Sequence, residues 1–207
     1  MDEDEIPLSG RTTERLISLS DGVFAFALTL LALTINIPSG FSAKAYYAFL
    51  IRLVPKLVSY MISVLIIGVT WMAHQRMFRF IKCYNHEMLW LNLLFLTSIT
   101  LVPPATLLLR EYPYMRSSVI IYAIILGAGS LLLFATWRYT TSRPELVTKD
   151  LDAEIIQYYG IRGLTYLASD ILTIIIALFN PIVAQFTLLA LFITIPFFDR
   201  LHRPPRA

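Results

Sequence analysis

Cysteine and charge are both scarce in this chain of 207 residues, and each scarcity excludes a class of protein. The single cysteine, Cys83, can form neither a disulfide within the chain nor a cysteine metal cluster. Charged residues make up 15% of the sequence and hydrophobic residues 57%, whereas about a quarter of a soluble domain is charged. The net charge of +3 is accounted for by membrane topology, so no nucleic-acid partner is expected.

Motifs of familiar enzymes and channels are missing as well. The sequence has no Gly-x-Ser-x-Gly elbow, no His-Glu-x-x-His pair and no phosphate-binding glycine loop, and its three histidines are scattered. The ionisable residues inside apolar segments are few, namely Asp21, Arg162 and Asp170. We therefore expect neither an enzyme nor a metal or cofactor site. A Thr-Val-Gly-Tyr-Gly filter and an arginine-rich voltage sensor are also absent, so a channel would need another design.

Long apolar runs without charge are what the chain does contain. About 20 such residues in a helix cross roughly 30 Å of hydrocarbon. The runs predict an all-α integral membrane protein, a single domain over 1–207, with spans at 16–38, 52–73, 88–109, 117–138, 159–179 and 181–198. The last division rests on Asn180-Pro181, a turn signal that favours two tightly linked helices over one bent helix.

Lysine and arginine are unevenly distributed between the predicted connections. Most of them lie on the side that holds the N-terminus, in the segments around 11–15, 76–82, 138–149 and 200–206. The positive-inside rule therefore places both termini in the cytoplasm, as an even number of spans requires. The acidic start MDEDE lacks a basic region, so no cleaved signal peptide is expected. The predicted location is the cell membrane, multi-pass, which is the inner membrane if the source is a bacterium.

Polar residues of three predicted helices fall at one depth near the cytoplasmic side. Asp21 lies early in the first span, Trp71 and His74 lie at the end of the second, and Asn92 lies early in the third. A charge within hydrocarbon costs several kcal/mol and faces a partner or a water cavity. We predict that Asp21 accepts hydrogen bonds in this layer from His74, Trp71 and Asn92, either as a structural pair or with a role in transport.

Arg15 is a poor partner for Asp21 of its own helix, because their spacing turns the helix by about 240°. It could pair with Asp21 of a neighbouring subunit or extend to lipid phosphates. A second feature of this helix is a stripe at alternating spacings of four and three residues. The stripe consists of Gly22, Phe26, Thr29, Leu33 and Asn36, with Leu30 alongside. Its polar ends and apolar middle suit either a pore with a dry constriction or an ordinary helix seam.

Three stretches of this sequence resemble one known family. They are Arg15-x-x-x-Leu19-Ser20-Asp21 in the first helix, WMAHQRMF at 71–78, and NLLFLTSITLVPPAT at 92–106 followed by Glu111-Tyr112. Together they resemble the lysosomal potassium channel family, transmembrane protein 175, and the six-span layout extends the resemblance over nearly the whole chain. The sequence departs from the family at Leu19, where the signature has phenylalanine, and at Phe26, where relatives usually carry isoleucine or leucine.

The resemblance implies a passive, potassium-selective cation channel without a carbonyl filter. It implies a homotetramer in which the first helix of each subunit lines the pore, with monovalent cations and the lipid bilayer as the other partners. It places the constriction at Phe26, Leu30 and Leu33, and Thr29 at a position linked to selectivity, with Gly22 and Asn36 in the lining. It assigns a cytoplasmic-side network to the residues Arg15, Ser20, Asp21, Trp71, His74 and Asn92.

Two alternatives remain open at this point. One is a proton-linked secondary transporter that uses Asp21, His74 and Asp170 as carriers, and the other is a non-conducting membrane scaffold. The unbroken first helix speaks against the transporter, because proline first appears in it at Pro38. Asp170 itself has no assigned partner, since Arg162 is about 80° away around the same helix.

Overall fold

Helices make up most of the part of the chain that the computed structural model describes, residues 13–35, 39, 42–149 and 151–188. In chain order they are α1 (Glu14–Leu33), α2 (Ala43–Phe78), α3 (His86–Thr100), α4 (Val102–Glu111), α5 (Arg116–Thr141) and α6 (Ala153–Phe179). Another helical stretch follows α6 over 181–188. Outside the helices, Ile81 and Val147 form an isolated antiparallel bridge that joins the α2–α3 connection to the α5–α6 connection.

Among the described residues, five helical segments are long and apolar enough to cross a membrane, which confirms the predicted all-α membrane fold. They are α1, most of α2, α3 with α4, α5 and α6. Of the predicted sixth span, 181–188 is helical and 189–198 lies outside the described residues. The number of six spans, the cytoplasmic location of both termini and the division into one domain stay predictions.

The second helix is much longer than the predicted span 52–73. Its 36 residues extend over about 54 Å, whereas the hydrocarbon core is about 30 Å thick. The apolar run marks only the part that fits the hydrocarbon. The helix extends beyond the predicted span at both ends, beginning at Ala43 and passing through Arg76 to Phe78, because a basic residue is a good helix former outside the bilayer.

The predicted third span is divided into α3 and α4. Leu101 ends α3, and Pro103 and Pro104 stand in the first turn of α4. Proline has no N–H to donate to the preceding turn, and its ring crowds the carbonyl four residues earlier. The Pro-Pro pair thus explains why one apolar run of about 26 residues contains two consecutive helices.

The junction at Asn180-Pro181 is a break between two helices, as predicted, and the bent single helix is wrong. Asn180 is extended, and its Oδ1 accepts the backbone N–H groups of Ile182 and Val183 at 3.0 and 3.2 Å, which caps the new helix. Thr173 and Thr187 meet through their Oγ1 atoms at 2.7 Å, so the stretch 181–188 folds back against α6.

The buried interior consists of two apolar clusters at different depths. One cluster lies towards the C-terminal end of α1 and includes Phe24 and Leu31 of that helix together with residues of α2, α3, α4 and α5. The other lies towards the N-terminal end of α1 and includes Leu16 of that helix, Phe78 of α2 and Met88 of α3. Within a bilayer such packing is stabilised by van der Waals contact rather than by release of water. Between the two clusters lies a layer of buried polar side chains, which positions the candidate site.

Candidate functional site

The first helix has one face buried in its own subunit and one face that the subunit leaves uncovered. The buried face consists of Leu16, Ser20, Phe24, Ala27 and Leu31. The uncovered face includes the predicted stripe: Gly22 and Thr29 are exposed, Phe26 is 60% exposed and Leu33 is 79% exposed. Such a face is available to lipid, to a second copy of the chain or to a water-filled pore.

Leu30 lies at the edge of this face and is half-buried. It is about 60° around the helix from Leu33, whereas Thr29 is about 40° from Leu33 on the other side. Phe26 and Leu33 therefore project furthest from the subunit among the three residues of the predicted constriction. Asn36 lies outside the described residues.

A polar residue stands between the two apolar projections of the stripe. Thr29 is about 4.5 Å above Phe26 and about 6 Å below Leu33 along the helix axis. Its hydroxyl donates to the backbone carbonyl of Phe26 at 2.7 Å. Because the hydroxyl hydrogen of Thr29 is used in this bond, its oxygen can act towards other groups only through its lone pairs.

Asp21 is bound by two residues of α2. Trp71 Nε1 donates to Asp21 Oδ1 at 2.8 Å, as predicted, and Gln75 Nε2 donates to the same oxygen. Gln75 was not among the predicted donors. The signal was available, because Gln75 follows Trp71 by one helical turn and shares its face. Asp21 is half-buried, and within the described part of the chain its carboxylate is bound by these two donors and by no basic side chain.

His74 and Asn92 do not donate to Asp21, and that prediction is wrong. Asn92 Nδ2 instead donates to Ser20 Oγ at 3.1 Å, and Asn92 Oδ1 lies 3.0 Å from His74 Nε2. Ser20 and Asp21 are about 100° apart around α1, so one faces α3 and the other faces the side of α2 that carries Trp71. The layer therefore has two branches on either side of α1.

The hydrogen bonds of the buried branch fix the direction of each donor. Ser20 donates its hydrogen to the carbonyl of Leu16 at 2.8 Å, so it must accept from the amide of Asn92. The amide oxygen of Asn92 then accepts from His74, which places the hydrogen of the imidazole on Nε2. His74 is fully buried, stacked on Phe78 at 4.1 Å and on Phe95 at 5.4 Å between ring centroids. The hydrogen bonds of this branch connect α1, α2 and α3.

Arg15 lies on the uncovered face of α1, a heptad before Gly22. Among the described residues it makes no hydrogen bond or ion pair with Asp21, in agreement with their predicted separation around the helix. Its placement extends the stripe towards the N-terminal end of α1. The structure thus brings Ser20, Asn92 and His74 together, pairs Trp71 with Asp21, and leaves Arg15 apart.

The outer end of α1 is held by a residue that the sequence analysis did not select. Arg110 of α4 donates through Nη1 to the backbone carbonyl of Thr34, just after α1 ends. A cation at this position donates to one of the free carbonyls of the helix terminus, and it interacts favourably with the negative end of the helix dipole. Arg110 also contacts Glu111 at 3.0 Å, and Lys56 lies 3.6 Å from the same carboxylate. An arginine at the end of an apolar run signals topology, and the sequence gives no sign of this further contact.

Comparison with known proteins gives consistent matches. Residues 15–103 match the model of the family described as the endosomal/lysosomal potassium channel TMEM175. A potassium channel of Chamaesiphon minutus is 32% identical over 145 residues, covering 68% of this chain and 71% of that protein. A potassium channel of Streptomyces collinus is 30% identical over 152 residues, covering 72% and 74% of the two chains.

Solved structures share the fold. The crystal structure of a lysosomal potassium-selective channel TMEM175 homolog from Chamaesiphon minutus superposes with a TM-score of 0.73 at 25% identity. The match covers 92% of this chain and 97% of that one. A crystal structure of the potassium channel MtTMEM175 gives a TM-score of 0.64 at 20% identity, covering 90% of each chain.

Proposed function

The chain belongs to the TMEM175 family, and we propose that it is a passive potassium-selective cation channel with a dry constriction in place of a carbonyl filter. The relatives named potassium channels support the conduction of potassium. The observation that carries the constriction is the uncovered stripe of α1. Its most exposed side chains, Phe26 and Leu33, are large and apolar, and no charge lies between them.

Conduction through this stripe requires several copies of α1 around one axis, because each chain supplies a single such helix. We propose a homotetramer, as the family resemblance implies. In that arrangement Phe26 and Leu33 form two apolar rings about 10 Å apart, with Leu30 beside the outer ring. The mass of the purified complex in a lipid nanodisc tests the number of subunits.

The proposed mechanism is partial dehydration at the apolar rings. Leucine and phenylalanine offer no oxygen to replace the hydration shell of an ion. An ion that gives up its water at a higher free-energy cost therefore meets a larger barrier at these rings. Potassium holds its water less tightly than sodium does, which favours potassium at this step. Between the rings, the lone pairs of four Thr29 hydroxyls would replace part of the lost water.

The polar layer serves this mechanism by setting the direction in which the stripe points. Asp21 and Ser20 are bound in two directions at the cytoplasmic end, and Arg110 binds the carbonyl of Thr34 at the outer end. Gly22 follows Asp21 on the stripe, and because it has no side chain the mouth of the proposed pore is wide at this level. We therefore assign the network a positioning role and place Asp21 beside the conduction path, outside it.

Substitution of Leu33 tests the proposal. Leu33→Asn places an amide in the outer ring, which lowers the dehydration barrier, so potassium flux into proteoliposomes should rise and the preference over sodium should fall. Leu30→Asn should act in the same direction but less strongly, because Leu30 is half-buried. Leu131→Asn is the matched control, since Leu131 of α5 is 50% exposed and lies outside the stripe. Unchanged flux and selectivity in the Leu33 and Leu30 variants would remove α1 from the pore.

Phe26 calls for a separate variant, because its ring is bulkier than the aliphatic residue of relatives. Phe26→Leu widens the inner ring, so flux should increase if four rings face the axis. Equal flux in the wild type and this variant would place Phe26 in a subunit interface. Bilayer recording under a potassium/sodium bi-ionic gradient measures both conductance and selectivity.

The transporter and scaffold alternatives make different predictions for the same preparation. A transporter with Asp21, His74 and Asp170 as carriers would give saturable flux without unitary currents. Among the described residues these three groups share no hydrogen bond: Asp21 faces Trp71, His74 faces Asn92 and Asp170 faces Ser130. Correctly assembled protein that is inert in every flux assay would favour the scaffold.

A further inference from the structure

A buried carboxylate that the conduction proposal does not use lies in the middle of α6. Asp170 is 1% exposed. Its Oδ2 accepts the hydroxyl of Ser130 on α5 at 2.6 Å, and its Oδ1 has no hydrogen-bond partner among the described residues. The backbone of α5 comes close at the same level, since a Cβ on Gly127 would lie 3.4 Å from the Cβ of Asp170.

The charge of Asp170 lacks a compensating basic side chain in the part of the chain that the structure describes. The ion pairs found there lie at Glu111, at the outer end of α4. Arg162 is on the same helix but about 12 Å away along the axis, and it contacts Tyr158 and Tyr166. An ionised carboxylate at this depth costs several kcal/mol unless a positive charge neutralises it.

Asp170 borders a small, mainly apolar cavity whose lining includes hydroxyl-bearing side chains of four helices. The cavity has a volume of about 30 Å³, and its polar lining consists of Thr70, Ser98, Ser130, Tyr166 and Asp170. A volume of about 10–15 Å³ already admits one water molecule, so this cavity has room for a small cation with a water. No described residue of α1 lines it, so the cavity is separate from the proposed conduction path.

The hydroxyl groups of the lining present oxygen lone pairs. Thr70 donates its hydrogen to the carbonyl of Ile66 at 2.8 Å, and Ser98 donates to that of Phe95 at 2.6 Å. Ser130 donates to Asp170. With these hydrogens committed, each of the three oxygens can only accept or coordinate. A carboxylate together with hydroxyl oxygens is the ligand set of a hard cation, and it repels an anion.

We propose that Asp170 and this cavity form a cation-binding site in the interior of each subunit. The site takes one positive charge, either as a proton on Asp170 or as a largely dehydrated sodium ion held by Oδ1 and the surrounding hydroxyl oxygens. Among the described residues, Tyr166 is the titratable side chain that lines the cavity together with Asp170, while α2 and α3 present the neutral Thr70 and Ser98. Arg162 contacts the hydroxyl of Tyr166 at 3.4 Å without lining the cavity, and the hydroxyl of Tyr122 on α5 lies 3.1 Å from Ser63.

Binding is measured through stability, because a ligand that binds only the folded protein raises the unfolding temperature. The purified full chain in nanodiscs is heated in sodium, potassium or choline chloride at equal ionic strength, at acidic and at alkaline pH. A sodium site gives a rise of a few degrees with sodium alone, at alkaline pH. A proton site gives a rise on acidification in choline chloride, with no dependence on sodium.

Asp170→Asn should abolish whichever dependence the wild type shows. Asn carries no charge to neutralise, so the variant should fold and be at least as stable as the wild type in alkaline choline chloride. Asp152→Asn is the matched control, since Asp152 is an exposed carboxylate at the start of the same helix, and it should keep the wild-type response. A response that persists in Asp170→Asn, or a wild type without any response, would overturn the proposal.

Ser130→Ala is a second way to distinguish a bound proton from a bound sodium ion. The substitution removes the Ser130 hydroxyl, which donates to the carboxylate of Asp170 and is a candidate ligand of sodium. The proton response should therefore move to higher pH, because the ionised form loses a stabilising hydrogen bond. The sodium response should instead require a higher sodium concentration. The readout is unfolding, so its outcome is independent of whether the protein conducts potassium.

Discussion

A double-mutant cycle between His74 and Asn92 tests whether the buried branch of the polar layer holds α1, α2 and α3 together. The two residues are 0% and 1% exposed, and their side chains meet at 3.0 Å. Asn92→Leu leaves the Nε2–H of His74 buried without an acceptor, which costs about 1–3 kcal/mol. His74→Phe leaves the Oδ1 of Asn92 buried without a donor, at a similar cost, while a ring remains between Phe78 and Phe95.

The double variant should be more stable than the sum of the two single losses predicts. With both partners replaced by apolar groups of similar shape, neither His74 nor Asn92 leaves the other unpaired. The donor that Ser20 loses with Asn92→Leu is missing from the single and the double variant alike, so it cancels in the cycle. Such cycles in a bilayer give about 0.6 kcal/mol on average and about 1.7 at most, because the unfolded chain in lipid also finds partners. His74 and Asn92 are fully buried, so we expect a coupling energy in the upper half of this range, about 1–1.7 kcal/mol.

The assay is reversible unfolding of the four proteins in mixed micelles, followed by tryptophan fluorescence. The pairing of Asn92→Leu with Thr173→Val is the control, because Thr173 belongs to the separate junction with Thr187 and its effect should simply add. Additive losses for His74 and Asn92 would refute the inferred hydrogen bond. Wild-type stability of Asn92→Leu would refute the structural role of the branch as a whole.

Two further predictions concern helix contacts away from this layer. Arg110→Met should lower the free energy of unfolding by about 1.5–3 kcal/mol, because the carbonyl of Thr34 loses a charged donor, and Arg110→Lys should recover part of it. Wild-type stability of the Met variant would contradict this. Gly129→Ala should destabilise by about 1–3 kcal/mol, because its Cβ would lie 2.9 Å from the Oγ of Ser98. Ser98→Ala should rescue it, since the remaining Cβ is 3.8 Å away, and failure of the rescue would refute the clash.

The apolar pattern predicted the membrane helices well, because hydropathy along a helix is a local property. It placed the break at Asn180-Pro181 correctly for the same reason, since the turn is written in two adjacent residues. It did not place the ends of α2, which depend on how far a helix continues beyond the bilayer. The division at Pro103 was missed because the apolar run stays uninterrupted across it.

The polar layer was only partly predictable, because partners depend on how helices are rotated against each other. Depth along the chain correctly grouped Asp21, Trp71, His74 and Asn92 into one layer. Depth alone did not reveal that Asn92 faces Ser20. The contact of Arg110 with Thr34 was beyond reach, because it joins two helix ends that are far apart in sequence.

The adjacency of Ser20 and Asp21 has a mechanical consequence for the stripe. Two neighbouring residues held in directions about 100° apart restrain rotation of α1 about its axis, since a turn that keeps one set of hydrogen bonds breaks the other. A single contact would fix depth but leave the helix free to roll. Arg110 adds a third contact at the other end, which restrains tilt. We therefore propose that the charge at Asp21 is kept because it orients α1: a pore whose selectivity depends on which side chains face the axis needs a helix that cannot rotate.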